Sequence, residues 1–196
     1  MKYKNIIFDF GNVLAGFNET HILKQFCDNE DDLKILADTI FPNWSAIDKG
    51  SIEYETFCEN VIRSVPDRLK TTAENVLLNW HKHLTPITQT WDFIHELKMR
   101  RCPIYILSNA PTHFAEHADF YEITKEFDGI IFSAVIKMAK PNADIYNYLF
   151  DTYSLKPEEC FFLDDRKDNI EAGRALGMEG IIFTGDITSV KKAIQF

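Results

Sequence analysis

Asn5-Ile6-Ile7-Phe8-Asp9-Phe10-Gly11-Asn12-Val13-Leu14 begins as a short apolar run and stops abruptly at an aspartate followed by a glycine turn. A run this short, apolar at successive positions rather than alternate ones, reads as a parallel strand covered on both faces. The same form recurs at Pro103–Leu107, Gly129–Ser133, Cys160–Leu163 and Gly180–Phe183. Apolar residues at helical spacing fill the intervals Thr88–Arg100, Ala143–Tyr153, Asn169–Leu176 and Ser189–Ile194, and Gly177 stands where a helix C-cap glycine belongs. This alternation predicts an α/β fold with a doubly wound parallel sheet.

One interval breaks the rhythm. Between Gly16 and Pro86 no strand pattern stands out, but His21–Cys27, Asp31–Phe41, Glu53–Arg63 and Leu69–His83 each carry amphipathic helical spacing. Pro42, Gly50-Ser51 and Pro66 punctuate them. The block is too long for a loop. Residues 1–15 and 87–196 are therefore expected to form the α/β core. Residues 16–86 are expected to form an inserted all-helical cap above the carboxyl ends of the strands, where open α/β sheets bind ligands.

Composition narrows the function. A net charge of −9 excludes a nucleic-acid binder of the usual basic kind. It also means that any anion site must reverse the overall field locally. Cys27, Cys58, Cys102 and Cys160 are dispersed, with no zinc-ligand spacing, and read as reduced thiols. No stretch approaches the length of a membrane helix and the N-terminus lacks a signal-type apolar segment, so a cytoplasmic protein without a membrane partner is expected. The six histidines form no HExxH, and His81 and His83, two apart, make a poor metal pair. The sixteen phenylalanines read as core, with Phe17, Trp44 and Phe57 available to line a site.

Chemistry-bearing residues cluster just past the strand ends: Asp9, then Ser108-Asn109, then Lys140-Pro141 ahead of a helix, then Asp164-Asp165. Each alone is an ordinary turn or cap residue. Together and in this order, they resemble the four motifs of haloacid dehalogenase (HAD) superfamily hydrolases, over essentially the whole chain. The D-x-G-N-V start, the K-P-x-x-x-I-Y run from Lys140 to Tyr146 and the D-D-x-x-D-N-I-E run from Asp164 to Glu171 are similar to the α-D-glucose-1-phosphate phosphatases and to the N-terminal domain of soluble epoxide hydrolases.

That resemblance implies an Mg²⁺-dependent phosphatase acting on a small phosphorylated metabolite, a sugar 1-phosphate among the candidates. Asp9 is the implied nucleophile, forming a phospho-aspartate. Asp9, Asp165 and the carbonyl of Gly11 are the implied metal ligands, all hard oxygen donors. Ser108 and the Asn109 N–H are implied to donate to the phosphoryl oxygens, and Lys140 to add positive charge. Asp164 and Asn169 are expected to orient water on the metal. Two other readings share the fold: a 2-haloacid dehalogenase, which the acidic pair Asp164-Asp165 opposes, and a catalytically weak domain serving as a binding module.

One position departs from the family. Most HAD phosphatases carry an acid/base aspartate two residues after the nucleophile, where this chain has Gly11. A general acid contributes about 10²–10⁴-fold. Its loss predicts a preference for leaving groups that need little protonation, such as anomeric hydroxyls or carboxylates. Asn18, Glu19 and His21 of the insert are the candidates for a substitute proton relay.

Overall fold

The computed structural model describes residues 1–196. Its strands are β1 (Asn5–Phe8), β2 (Ala15–Gly16), β3 (Thr85–Pro86), β4 (Ile104–Ser108), β5 (Gly129–Phe132), β6 (Cys160–Asp164) and β7 (Glu179–Ile182). Five of them form one parallel sheet in the order β5-β4-β1-β6-β7, with β1 at its centre. The register explains the unbroken apolar runs. Ile7 pairs with Tyr105 and Phe162 and packs on one face with the helix Ala143–Tyr153 and Ile170 of the helix Lys167–Ala175. Ile6 and Phe8 point to the other face, against Phe93, Ile94 and Leu97 of the helix Thr88–Met99 and Val190 and Ile194 of the helix Ile187–Ile194. Both faces are covered, so no polar alternation survives in the sequence.

The helices Glu19–Leu23, Glu30–Ile40, Trp44–Asp48, Tyr54–Ser64 and Lys70–Asn79 pack around their own apolar cluster of 13 buried residues, including Leu36, Phe57, Val61 and Val76. Their ends are locally encoded. Asn29 Oδ1 accepts from Asp32 N (3.0 Å), and Glu30, Asp31 and Asp32 follow in the first turn, where the helix dipole favours acids.

Several sequence expectations are refined. The ends of the insert are not strand-free: Ala15–Gly16 and Thr85–Pro86 pair antiparallel as a two-residue ribbon at the point where the chain leaves and re-enters the sheet layer. Ser133 is not the end of β5 but the start of a one-turn helix, Ser133–Ile136. Leu69–His83 is not one helix; its last turn, Trp80–His83, tightens to a 3₁₀ turn. Pairs this short, and single turns, bury too little to leave a periodic signature.

Candidate active site

Parallel strands end on one edge, and β1, β4 and β6 end together here. Asp9 follows β1, its backbone N–H donating to Leu163 O (2.8 Å) of the neighbouring strand. Ser108 closes β4, and its Oγ accepts from Phe10 N at 3.4 Å. Asp164 closes β6, with Asp165 one residue beyond. Carboxylate oxygens of Asp9, Asp164 and Asp165 lie within 4.8 Å of one another. Residues 156 positions apart thus meet at one point.

Lys140 lies at the centre of the cluster, its side chain fully buried. Its Nζ reaches Asp9 Oδ1 at 3.0 Å and Asp164 Oδ2 at 2.6 Å. A buried lysine survives only with compensating charge. Burial would pull its pKa down, but the carboxylates of Asp9 and Asp164 outweigh burial and hold it above its ordinary value. Asp9 shows the opposite balance. Burial lifts its carboxyl from 3.8 to about 6, with Lys140 opposing and Asp164 adding to the rise. Negative charge is in excess at this point.

Of the remaining predicted residues, Asn109, Asp164 and Asn169 build the frame around Lys140. Asn109 grips the Lys140 backbone in both directions: Nδ2 donates to Lys140 O and Lys140 N donates to Oδ1, each at 2.9 Å. Asp164 is completely buried and accepts from Lys140, from Asn169 Nδ2 and from Arg166 N (2.8 Å). Both its oxygens accept from the chain, and this anchors Lys140 and the β6 turn. Asn169 Oδ1 is buried with no partner in the chain. Asp165 is more open, and its Oδ2 accepts from Asn12 Nδ2 (2.9 Å). Gly11 sits in open space, where an added Cβ would meet nothing within 4 Å.

All of these residues except Asp164, which lies buried behind them, line a cavity of about 590 Å³. Phe17, Trp44 and Trp80 form an aromatic wall from the helical insert, with Trp44 and Trp80 meeting edge to face at 4.9 Å. Phe57 does not reach the cavity; it is 3% exposed and belongs to the insert's own core. Asn18, Glu19 and His21 do not line it either. Asn18 Oδ1 instead caps its helix by accepting from His21 N (2.8 Å). Asp48, which the sequence did not single out, does line it.

A second cluster also escaped the sequence. His81 at the base of the insert meets His113 and His117, with ring centroids 4.5–5.0 Å apart. The i, i+4 spacing of His113 and His117 within the helix Thr112–His117 was the available signal. Their ligand nitrogens lie within 4.8 Å of one another, close enough to hold a metal ion, but hydrogen bonds already engage the rings. His113 Nε2 contacts His81 Nδ1 (3.1 Å) and Leu78 O (3.2 Å), and His117 Nδ1 donates to His113 O (2.8 Å). Tyr54 stacks on His113, interplanar angle 7°. The cluster joins the insert to the core.

A model of haloacid dehalogenase-like hydrolases matches residues 3–177. The sesquiterpene phosphatase astK of Aspergillus oryzae is 25% identical over 203 residues, spanning 98% of this chain and 96% of that protein. The D-ribitol-5-phosphate phosphatase of Bacteroides thetaiotaomicron is 24% identical over 190 residues, 90% of this chain and 89% of that one. A HAD family enzyme of the same bacterium, solved with magnesium and inorganic phosphate, superimposes with a TM-score of 0.74 at 20% identity, covering 96% of this chain and 98% of that one. Its likeness shows the shared fold. With an acid and a buried lysine meeting where β1, β4 and β6 end, and with the family model matching most of its length, this chain belongs to the haloacid dehalogenase-like hydrolases.

Proposed function

We propose that this hydrolase is a phosphatase that removes the phosphoryl group from a small phosphorylated metabolite through a phospho-aspartate on Asp9. The observation that carries the reading is the Asp9 carboxylate, held through Oδ1 by Lys140 (3.0 Å) and the Phe10 N–H (2.7 Å) on the floor of the cavity. These contacts fix its direction, leaving the other oxygen to attack.

The donor set fits a hard divalent cation. Asp9, Asp165 and the Gly11 carbonyl offer oxygen only, and three carboxyl groups meet there with one lysine. These residues would hold Mg²⁺, which supplies positive charge against the phosphoryl oxygens. The chain contributes the rest. Asp9 oxygen bonds to phosphorus as the ester P–O bond breaks, and water then displaces the phosphoryl group and restores the carboxylate. Lys140 stabilises both states electrostatically, and Ser108 Oγ and the Asn109 N–H stand on the same edge to donate to phosphoryl oxygens. Asp164 and Asn169 keep Lys140 in place.

The two named relatives act on a sesquiterpene and on D-ribitol 5-phosphate, so kinship alone does not single out a sugar 1-phosphate. The aromatic wall of Phe17, Trp44 and Trp80 suits an apolar or ring-shaped substrate body. The test is phosphate release from glucose 1-phosphate, D-ribitol 5-phosphate, a sesquiterpene phosphate and acetyl phosphate. Each is run with Mg²⁺, with EDTA and with Asp9→Asn. Turnover on at least one, lost with EDTA and in the variant, is expected. Full turnover by Asp9→Asn would reject the reading.

A further inference from the structure

The cavity holds one carboxyl group for which this chemistry, as derived so far, has no use. Asp48 ends the helix Trp44–Asp48 of the insert and lines the same cavity as Asp9 and Ser108. Its Oδ1 is sealed from water and has no hydrogen-bond partner in the chain. A lone buried carboxylate oxygen is costly, and the group avoids that cost by keeping a proton.

Its position is fixed by the core rather than by the insert alone. Ala110 N, just after Ser108-Asn109, donates to Ser133 Oγ (3.0 Å), and Ser133 Oγ in turn donates to the Asp48 carbonyl. Gly50, at φ 65°, lets the turn after Asp48 press on the core, where an added Cβ would lie 2.7 Å from Ala134 O. Lys137 pairs with Glu53 at 2.9 Å across the same seam. The loop that bears the predicted phosphoryl donors and the backbone that bears Asp48 are thus tied by one hydrogen-bonded hydroxyl.

Resting on the phosphatase reading, we infer that Asp48 is the general acid and base of this enzyme, doing from the insert what most relatives do from the position of Gly11. In the first step the electron pair of the breaking P–O bond goes to the leaving oxygen, which takes the Asp48 proton and departs as a neutral alcohol. In the second, water gives a proton to the Asp48 carboxylate as its oxygen bonds to phosphorus. The Asp9–phosphorus bond then breaks, returning its pair to Asp9, and both carboxyl groups end as they began. Burial, and then the nearby charge of Asp9, lift the Asp48 pKa from 3.8 to about 8, so the acid form is ready at neutral pH. The leaving-group restriction expected from Gly11 then disappears: ordinary alkyl phosphates become good substrates.

Asp48→Asn tests this through the leaving group. Its kcat/KM, which reports the steps up to departure of the leaving group and not the second step that both esters share, is compared on a primary alkyl phosphate, D-ribitol 5-phosphate, and on p-nitrophenyl phosphate, whose phenolate leaves unprotonated. Loss of a general acid predicts a fall of about 10²-fold or more on the alkyl ester and only a few-fold on the nitrophenyl ester. Equal losses on both, or no loss on the alkyl ester, would overturn the inference. A partly unfolded variant scales both rates alike, so the ratio still decides. Wild-type protein inactive on both esters with Mg²⁺ would instead count against the phosphatase reading, and with it this inference.

Discussion

Lys140 shows most directly how single residues set the chemistry. In a chain of net charge −9, a fully buried ammonium between two carboxylates makes a cluster of buried acids tolerable. Removing it leaves Asp164 charged and buried without its partner, a change that typically costs about 3–5 kcal/mol. Lys140→Met is therefore expected to shift the urea midpoint strongly downward as well as abolish turnover. Adding Asp164→Asn should recover most of the stability and none of the activity, because the buried charge goes while the electrostatic role stays empty. Denaturant titration of the two variants checks it. Stability that fails to return in the double variant would show that Asp164 is not the charge at stake.

Among the elements, the seam between insert and core decides where the cavity wall stands. Gly50 is the position where geometry demands glycine, for its positive φ and for the closeness of Ala134 O. Gly50→Ala forces a left-handed alanine against backbone, with a strain of about 1–3 kcal/mol. The expected result is a lower Tm and a raised KM, since the strain is relieved by lifting the helix Trp44–Asp48 and its cavity residues. Unchanged KM with a lowered Tm would mean that the insert repacks without moving the wall.

Over the whole molecule, two apolar layers sandwich the sheet, and a third core lies inside the insert, joined to the others at the His81 cluster. Burial first, then His113 and His117, and more weakly Lys82 and His83, push His81 down from 6.5 to about 4. His113 is lowered too, again mainly by burial. The unfolded chain therefore binds protons that the folded chain refuses, so these groups favour folding above about pH 6.5 and lose that contribution as pH falls toward about 4. Asp9, lifted from 3.8 to about 6, works the other way over the same range, since its folded carboxyl takes a proton first. The contrast between wild type and His81→Asn isolates the histidine share: wild-type Tm should fall more steeply with acidification than the variant's. Parallel curves would remove the cluster from the account of stability.

The strands and the order of the motifs were legible in the chain because each is written locally. Runs such as Ile6-Ile7-Phe8 and Cys160–Leu163 are apolar on both faces, and their ends carry Asp9 and Asp164-Asp165. Parallel strands must end on one edge, so sequence order alone brought Asp9, Ser108 and Asp165 into one neighbourhood. Asp48 and the histidine cluster were not legible. Asp48 looks like any acid near a helix end until the turn at Gly50 seats it over the cavity, and His81 lies 32 residues from His113 with no shared pattern. Their environments are made by the docking of insert on core, a long-range contact that leaves no periodicity in either segment. Local patterning determined the sheet and the edge where the acids meet; only the packed chain decided which carboxyl lost its water.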